Sequence, residues 1–234
     1  ALRKAVDAAP PWRTTLSEQD HAESVLAAAF SPDGRSIVTA NDDGAVRIWQ
    51  IVTNPLGDTQ AGRPIATLEG HTDVVTSVVF SPNGRYILTA GNDDTARLWL
   101  FPKGSSSAGG APSGHLLYSL LGHKDWVSSA EFSPDGQHIV TASWDNTARV
   151  WELVPSQAGD FRSARQILSL AGHTDAVNSA AYSHDGRYIA TASADLTARV
   201  WVARVEDLLD LAESLIQREP PTLTPAEHGR FLGE

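Results

Sequence analysis

Short apolar runs alternate with turn signals along most of this chain. Val75-Thr76-Ser77-Val78-Val79-Phe80 is nearly continuous in its apolar character, which predicts a strand buried on both faces. Tyr86-Ile87-Leu88-Thr89-Ala90 and Thr147-Ala148-Arg149-Val150-Trp151 read as further strands. Between the first two lies Ser81-Pro82-Asn83-Gly84, with proline and glycine where a type I turn favours them. Short alternating strands come before each such group, at Trp12 to Leu16, Pro64 to Leu68, Leu117 to Leu120 and Gln166 to Leu170. The pattern predicts four strands per unit and about sixteen in all.

The units align without gaps. They run from His21 to Trp49, His71 to Trp99, His123 to Trp151 and His173 to Trp201. A Gly-His pair opens three of them, and Ser-Pro-Asp-Gly type turns recur at Ser31, Ser81, Ser133 and Ser183. In the last turn His184 replaces proline, which weakens its preorganisation without removing it. An Asp-centred tight turn joins the second strand of each unit to the third.

His, Thr, Asp and Trp recurring in register four times resemble the WD-repeat family of β-propellers over roughly residues 12 to 202. The terminal Asp of the family's name is replaced by Gln50, Leu100, Glu152 and Val202. The resemblance implies an all-β fold, a β-propeller of WD repeats with four blades of four antiparallel strands. A connector is expected over 1–11, repeats at about 12–50, 64–100, 116–152 and 166–202, and a short helical C-terminal tail over 204–234.

In the family the recurring set forms a buried hydrogen-bonded relay within each blade, from indole to hydroxyl to imidazole to carboxylate. The sets here are His21, Thr39, Asp43 and Trp49; His71, Thr89, Asp93 and Trp99; His123, Thr141, Asp145 and Trp151; His173, Thr191, Asp195 and Trp201. An Asp-His-Thr trio invites comparison with a nucleophilic triad. A triad, however, occurs once, in an exposed cleft beside an oxyanion hole. Four copies in a structural repeat read as architecture. Phosphate-binding loops, His-Glu-x-x-His and Gly-x-Ser-x-Gly are absent from the sequence. Asp42-Asp43-Gly44 and Asn92-Asp93-Asp94 lack a spaced calcium ligand set. No catalytic site, cofactor or metal is expected.

The resemblance also implies a binding face, where the Gly-His loops and Asp turns share the upper rim. Its positions fall three and five residues after each His and just before each turn Asp. They are Ser24, Leu26 and Asp42; Val74, Thr76 and Asn92; Trp126, Ser128 and Trp144; Ala176, Asn178 and Ala194. Trp126 and Trp144 stand out, because the relay does not require them. Two aromatics on one rim match the anatomy of a binding hot spot, or else they pack on each other or on a neighbouring blade. Loops are expected on the opposite face at Thr53 to Arg63, Phe101 to Gly114 and Pro155 to Arg165, the middle one rich in Gly and Ser.

Composition narrows the partner. The formal net charge is −10, unlike the basic footprint of a nucleic-acid or anionic-membrane binder. There is no cysteine and no apolar run of membrane-spanning length, and a cytoplasmic home is the modest expectation. A protein or peptide ligand fits best. The chain also has no methionine and opens at Ala1, which reads as a piece of a longer polypeptide.

The ends bear on the ring. After the last Trp, Leu208, Leu209, Ala212, Leu215 and Ile216 lie at helical spacing, and Thr224-Pro225-Ala226-Glu227 would cap a second helix. Both flanks resemble, more loosely, the C-terminal WD-repeat regions of large bacterial NTPase, kinase or protease signalling proteins. Trp12 to Leu16 is expected beside Thr197 to Trp201. That pairing closes a four-bladed ring within one chain or an eight-bladed ring across two copies, unless further blades lie elsewhere on the polypeptide. Completion by another copy or chain is favoured over an open half-ring, whose edges invite uncontrolled strand pairing. The expected function is a protein-interaction scaffold or sensor, with a regulatory segment of a larger bacterial enzyme as the alternative.

Overall fold

The computed structural model describes residues 16, 24–53, 59–101, 114–156 and 161–204, and every regular element among them is a strand. Fifteen strands form four antiparallel sheets in chain order. The first holds β1 (Val25–Phe30), β2 (Ser36–Asn41), β3 (Val46–Thr53) and β4 (Thr59–Leu68). The second holds β5 (Val75–Phe80), β6 (Tyr86–Gly91), β7 (Ala96–Leu100) and β8 (His115–Leu120). The third holds β9 (Val127–Phe132), β10 (His138–Ser143), β11 (Thr147–Pro155) and β12 (Phe161–Ala171). Three strands make up the described part of the fourth: β13 (Val177–Tyr182), β14 (Tyr188–Ser193) and β15 (Ala198–Val202). The strand expected beside β15, Trp12 to Leu16, lies outside the described residues except for Leu16. So do His21, the connector, the loop over 102–113 and the tail from 205.

Sheets and sequence repeats are one strand out of step. β4 leads into His71, yet it pairs with β3, setting Val46 opposite Leu68 and Trp49 opposite Pro64. β8 and β12 likewise complete the sheets before their own repeats. Each outer strand therefore ties one sheet covalently to the next.

Two expectations are corrected. Among the described residues of the segments 53–63 and 155–165, nearly all are strand instead of loop. β3 and β4 remain paired out to Thr53 and Thr59, and β11 and β12 out to Pro155 and Phe161. The longer ladder gains packing, because Leu153 enters the core and the Phe161 ring lies 4.9 Å from Tyr86 of the second sheet. The second correction concerns β5, where only Val75 and Val78 are buried. β5 is an edge strand with a ladder partner on one side, whereas β6, between two strands, is buried along its whole length.

Successive sheets pack face to face through three apolar clusters. Val38 and Ile48 of the first sheet meet Val75 and Ile87 of the second. Leu88 and Leu98 meet Val127 and Ile139, and Val140 and Val150 meet Val177 and Ile189. Polar bonds join the same junctions. Thr76 Oγ1 donates to the Val127 carbonyl at 2.8 Å, and Ser128 Oγ to the Val177 carbonyl at 2.6 Å.

The turns between first and second strands share one geometry. Ser31 Oγ donates to Asp33 at 2.6 Å while the Gly34 amide returns to the Ser31 carbonyl at 2.8 Å. With His184 in place of proline, the fourth turn closes at the same 2.6 and 2.8 Å. Turns between second and third strands need one left-handed residue, and Gly44, Asp94, Asn146 and Leu196 supply it with φ of 78°, 61°, 68° and 69°. Leucine is the poorest of the four, since its Cβ crowds the backbone there while its side chain stands in solvent. Leu196→Asn is expected to raise stability by roughly 1 kcal/mol through relief of that strain. A urea denaturation midpoint unchanged or lowered by the substitution would contradict this.

Candidate functional site

In the second sheet, Trp99 Nε1 donates to Thr89 Oγ1 at 3.0 Å, and Thr89 Oγ1 lies 2.7 Å from His71 Nε2. His71 Nδ1 lies 2.9 Å from the Asp93 carboxylate. The third sheet sets Trp151 3.0 Å from Thr141, Thr141 2.8 Å from His123, and His123 2.8 Å from Asp145. The corresponding distances in the fourth sheet, from Trp201 through Thr191 and His173 to Asp195, are 2.9, 2.8 and 2.7 Å. In the first, Trp49 donates to Thr39 at 3.0 Å. The bonding pattern assigns the tautomer: Nδ1 carries the proton toward the carboxylate, and Nε2 accepts from threonine.

One tie joins two strands, a turn and a loop, since the histidine precedes the first strand, threonine sits on the second, aspartate in the turn after it and tryptophan on the third. The carboxylate binds the loop back as well. Asp93 accepts from the Thr72 amide at 3.2 Å and from Thr95 Oγ1 at 2.7 Å.

Sequence reading missed an arginine that recurs in every repeat, at Arg47, Arg97, Arg149 and Arg199. Arg47 pairs with Asp43 at 2.6 Å, Arg97 with Asp93 at 3.1 Å, and Arg149 approaches Asp145 at 3.5 Å. Its fixed spacing from the histidine was a legible signal. It also accounts for the Gly-His pair, because a Cβ on Gly70 would lie 2.8 Å from Arg97 Nη1 and 3.0 Å from the Trp99 ring.

The surroundings set the charge states. Burial raises the Asp93 carboxyl, but hydrogen bonds from His71 and Thr95 more than offset that and hold it well below the usual carboxylate range. Asp145 is lowered in the same way, against burial, by Thr147 and His123. Burial pushes His123 down from 6.5, and the bond to Asp145 only partly opposes it. In the third sheet the tie is therefore a neutral imidazole on a carboxylate. In the second, third and fourth sheets its imidazole and threonine are buried. Among the described residues no group of three or more His, Cys, Asp or Glu could hold a metal ion.

Above each tie the expected rim positions meet in pairs. The Asp42 amide donates to the Ser24 carbonyl at 3.1 Å, Asn92 to Val74 at 2.9 Å, Trp144 to Trp126 at 2.9 Å, and Ala194 to Ala176 at 2.8 Å. The members that follow on the first strands differ in their surroundings. Thr76 and Ser128 direct their hydroxyls to carbonyls of the next sheet, while Leu26 and Asn178 are exposed on the first and last sheets. The Trp126 and Trp144 rings lie 4.7 Å apart at 39°, and they remain 40% and 44% exposed. The indoles touch and still present a surface. Asp125 adjoins them, with exposed Lys124 beside it, and Asp94 is raised by burial and by the like charges of Asp125, Asp93 and Asp145.

The WD domain, G-beta repeat family matches the chain over residues 12–50, 62–99, 114–152 and 164–202. A periodic tryptophan protein 2 homolog of Caenorhabditis elegans is 28% identical over 170 residues, covering 61% of this chain and 18% of that protein. The homolog of Mus musculus is 41% identical over 175 residues, covering 60% and 18%. The small ribosomal subunit protein RACK1 of C. elegans is 45% identical over 42 residues, covering 18% and 13%. The chain thus spans less than a fifth of these relatives' lengths. All three are eukaryotic proteins, so none carries the looser likeness to bacterial signalling proteins.

Trp151→Ala is expected to cost about 3–5 kcal/mol, as a large-to-small change that also deprives Thr141 of its donor. A loss below about 1 kcal/mol in denaturant unfolding would argue against the tie there. Stability is also expected to fall with acid in two stages. A histidine depressed when folded binds fewer protons than in the unfolded chain, so its contribution is complete above about 6.5 and declines below it. The depressed carboxylates add a further loss as pH drops below their ordinary 3.8. Melting temperatures across a pH series would read both stages, and a flat profile down to pH 5 would contradict the first.

Proposed function

Because the chain belongs to the WD domain, G-beta repeat family, typically non-catalytic protein-interaction scaffolds, we propose that it binds a protein or peptide on its upper rim. The observation that carries this reading is the pair of touching, exposed indoles at Trp126 and Trp144. The tryptophans of the ties are largely enclosed by sheets, whereas these two keep much of their apolar surface in water, as an anchor for a ligand side chain does. Their surroundings favour a basic segment. A lysine or arginine stacked on the indoles would gain a cation–π contact and face Asp94 and Asp125. Val74, Asn92, Ala176 and Ala194 flank the centre as lesser contacts, and Ser24, Leu26, Asp42 and Asn178 lie farther out on the first and last sheets.

The proposal extends to assembly and setting. The ring is completed by another copy or chain, and the module works in the cytoplasm, in keeping with the acidic, cysteine-free sequence. Nucleic acid and membrane are poor partners for such a charge. The alternative, a regulatory segment of a larger bacterial NTPase, kinase or protease, draws on flanks outside the described residues, so the scaffold reading is preferred.

Panning the chain against a display library of random peptides is expected to enrich basic sequences. Trp126→Ala combined with Trp144→Ala should weaken their binding at least tenfold with little change in melting temperature. Equal binding by the double variant would overturn the reading. A large fall in melting temperature would show the indoles to be packing residues instead.

A further inference from the structure

The three internal junctions repeat one recipe, and the described residues carry both halves of a fourth junction that they do not make among themselves. On the leading side of each junction a valine begins the first strand. Val75, Val127 and Val177 are all 0% exposed. The same position in the first sheet is Val25, 55% exposed, and Phe30 farther along β1 is 64% exposed. On the trailing side an aliphatic residue of the third strand meets the next sheet. Ile48, Leu98 and Val150 are fully buried, while Val200 at that position in the last sheet is 73% exposed. Among the described residues no apolar cluster joins the fourth sheet to the first.

Polar groups follow the same logic. Thr76 and Ser128 each donate forward to the carbonyl of the next sheet's leading valine. The next donor in the series is Asn178, exposed on the last sheet, and the matching acceptor is the carbonyl of Val25 on the first. The edges correspond too. Leu68, at the end of the first sheet's outer strand, occupies the space where Gly114 of the second sheet would carry a Cβ. Leu16 sits in the same way against Gly62 of the first sheet. Leu16 thus takes the seat of a preceding sheet's outer strand, and the fourth sheet has no outer strand among its described residues.

We propose that a second copy of this chain makes the missing junction. The fourth sheet of each copy packs on the first sheet of the other, head to tail and twice over, to close an eight-sheet ring with two-fold symmetry. Val200 meets the Val25 and Phe30 side of the partner copy, and Asn178 donates to the partner copy's Val25 carbonyl. Two identical head-to-tail contacts leave no open end, which is the condition for a ring instead of a filament. The interface continues one already built three times within the chain, so a second copy satisfies it without new chemistry. This deepens the ring-completion part of the proposed function and is independent of the tryptophan site.

Light scattering on the 234-residue chain is expected to give twice 25.0 kDa. Val25→Asp and Val200→Asp should each reduce it to one copy. Both positions are solvent-exposed in the single chain, so both variants should keep their melting transitions. Mixed in equal amounts, the two should re-form a two-copy species, because one intact head and one intact tail remain. A second reading survives any folding failure. The chain has no cysteine, so Val25→Cys with Asn178→Cys offers only the engineered pair to a short bismaleimide. The expected product under denaturing conditions is a cross-linked dimer. A one-copy mass for the unaltered chain, cross-linking within a single chain, a dimer indifferent to both aspartates, no recovery on mixing, or a ladder of higher masses would each overturn the proposal. Peptide binding lost only on changing Trp126 and Trp144 would still uphold the rim reading.

Discussion

An indole buried between two sheets carries one N–H that must be satisfied out of reach of water, and the architecture follows from how that is done. Trp99 donates to Thr89, whose hydroxyl faces His71, and the imidazole faces Asp93. Each group supplies what the next one lacks, so no member can be removed without stranding another. Because the four side chains come from the second and third strands, the turn between them and the loop before the first strand, the bonds fix these segments relative to one another. The carboxylate then reaches further, to the Thr72 amide and the Arg97 guanidinium, and draws the entry loop down onto the turn.

That drawn-down loop forms the rim. The backbone bond between the residue three past each histidine and the residue before each turn aspartate recurs in all four sheets. It is a scaffold indifferent to the side chains it displays. Ser24 and Asp42 use it, and so do Ala176 and Ala194. Only in the third repeat does it bring two tryptophans into contact, so the strongest candidate for binding is a local departure on a uniform frame.

The same uniformity leaves the ends exposed. Interiors form between sheets, and a row of four sheets has three such interiors and two bare faces. Val25 and Val200 show what a junction residue looks like without its partner. The arrangement that buries them must supply one face of each kind, as the proposed second copy would.

Much of this was legible in the sequence. The repeat, its strands and turns follow from residue spacing, and the bonds among His, Thr, Asp and Trp are what the resemblance to the WD-repeat family implied. Arg97 and its equivalents were equally periodic and went unread, because an arginine on a strand looks like an ordinary solvated charge until the buried carboxylate beside it is seen. The segments around Thr53 and Pro155 read as loops linking third strands to the next outer strands, yet their described residues pair as strands, with Leu153 and Phe161 packing into the core. The sequence by itself determined the periodic unit, because the residues that build it recur at fixed separations. Only the tertiary structure decided that Thr76 and Ser128 reach the next sheet, that Trp126 and Trp144 touch while staying exposed, and that the first and last faces are bare. Those outcomes depend on how whole sheets stack, and burial between sheets is a property of the packed neighbours, which no single repeat encodes.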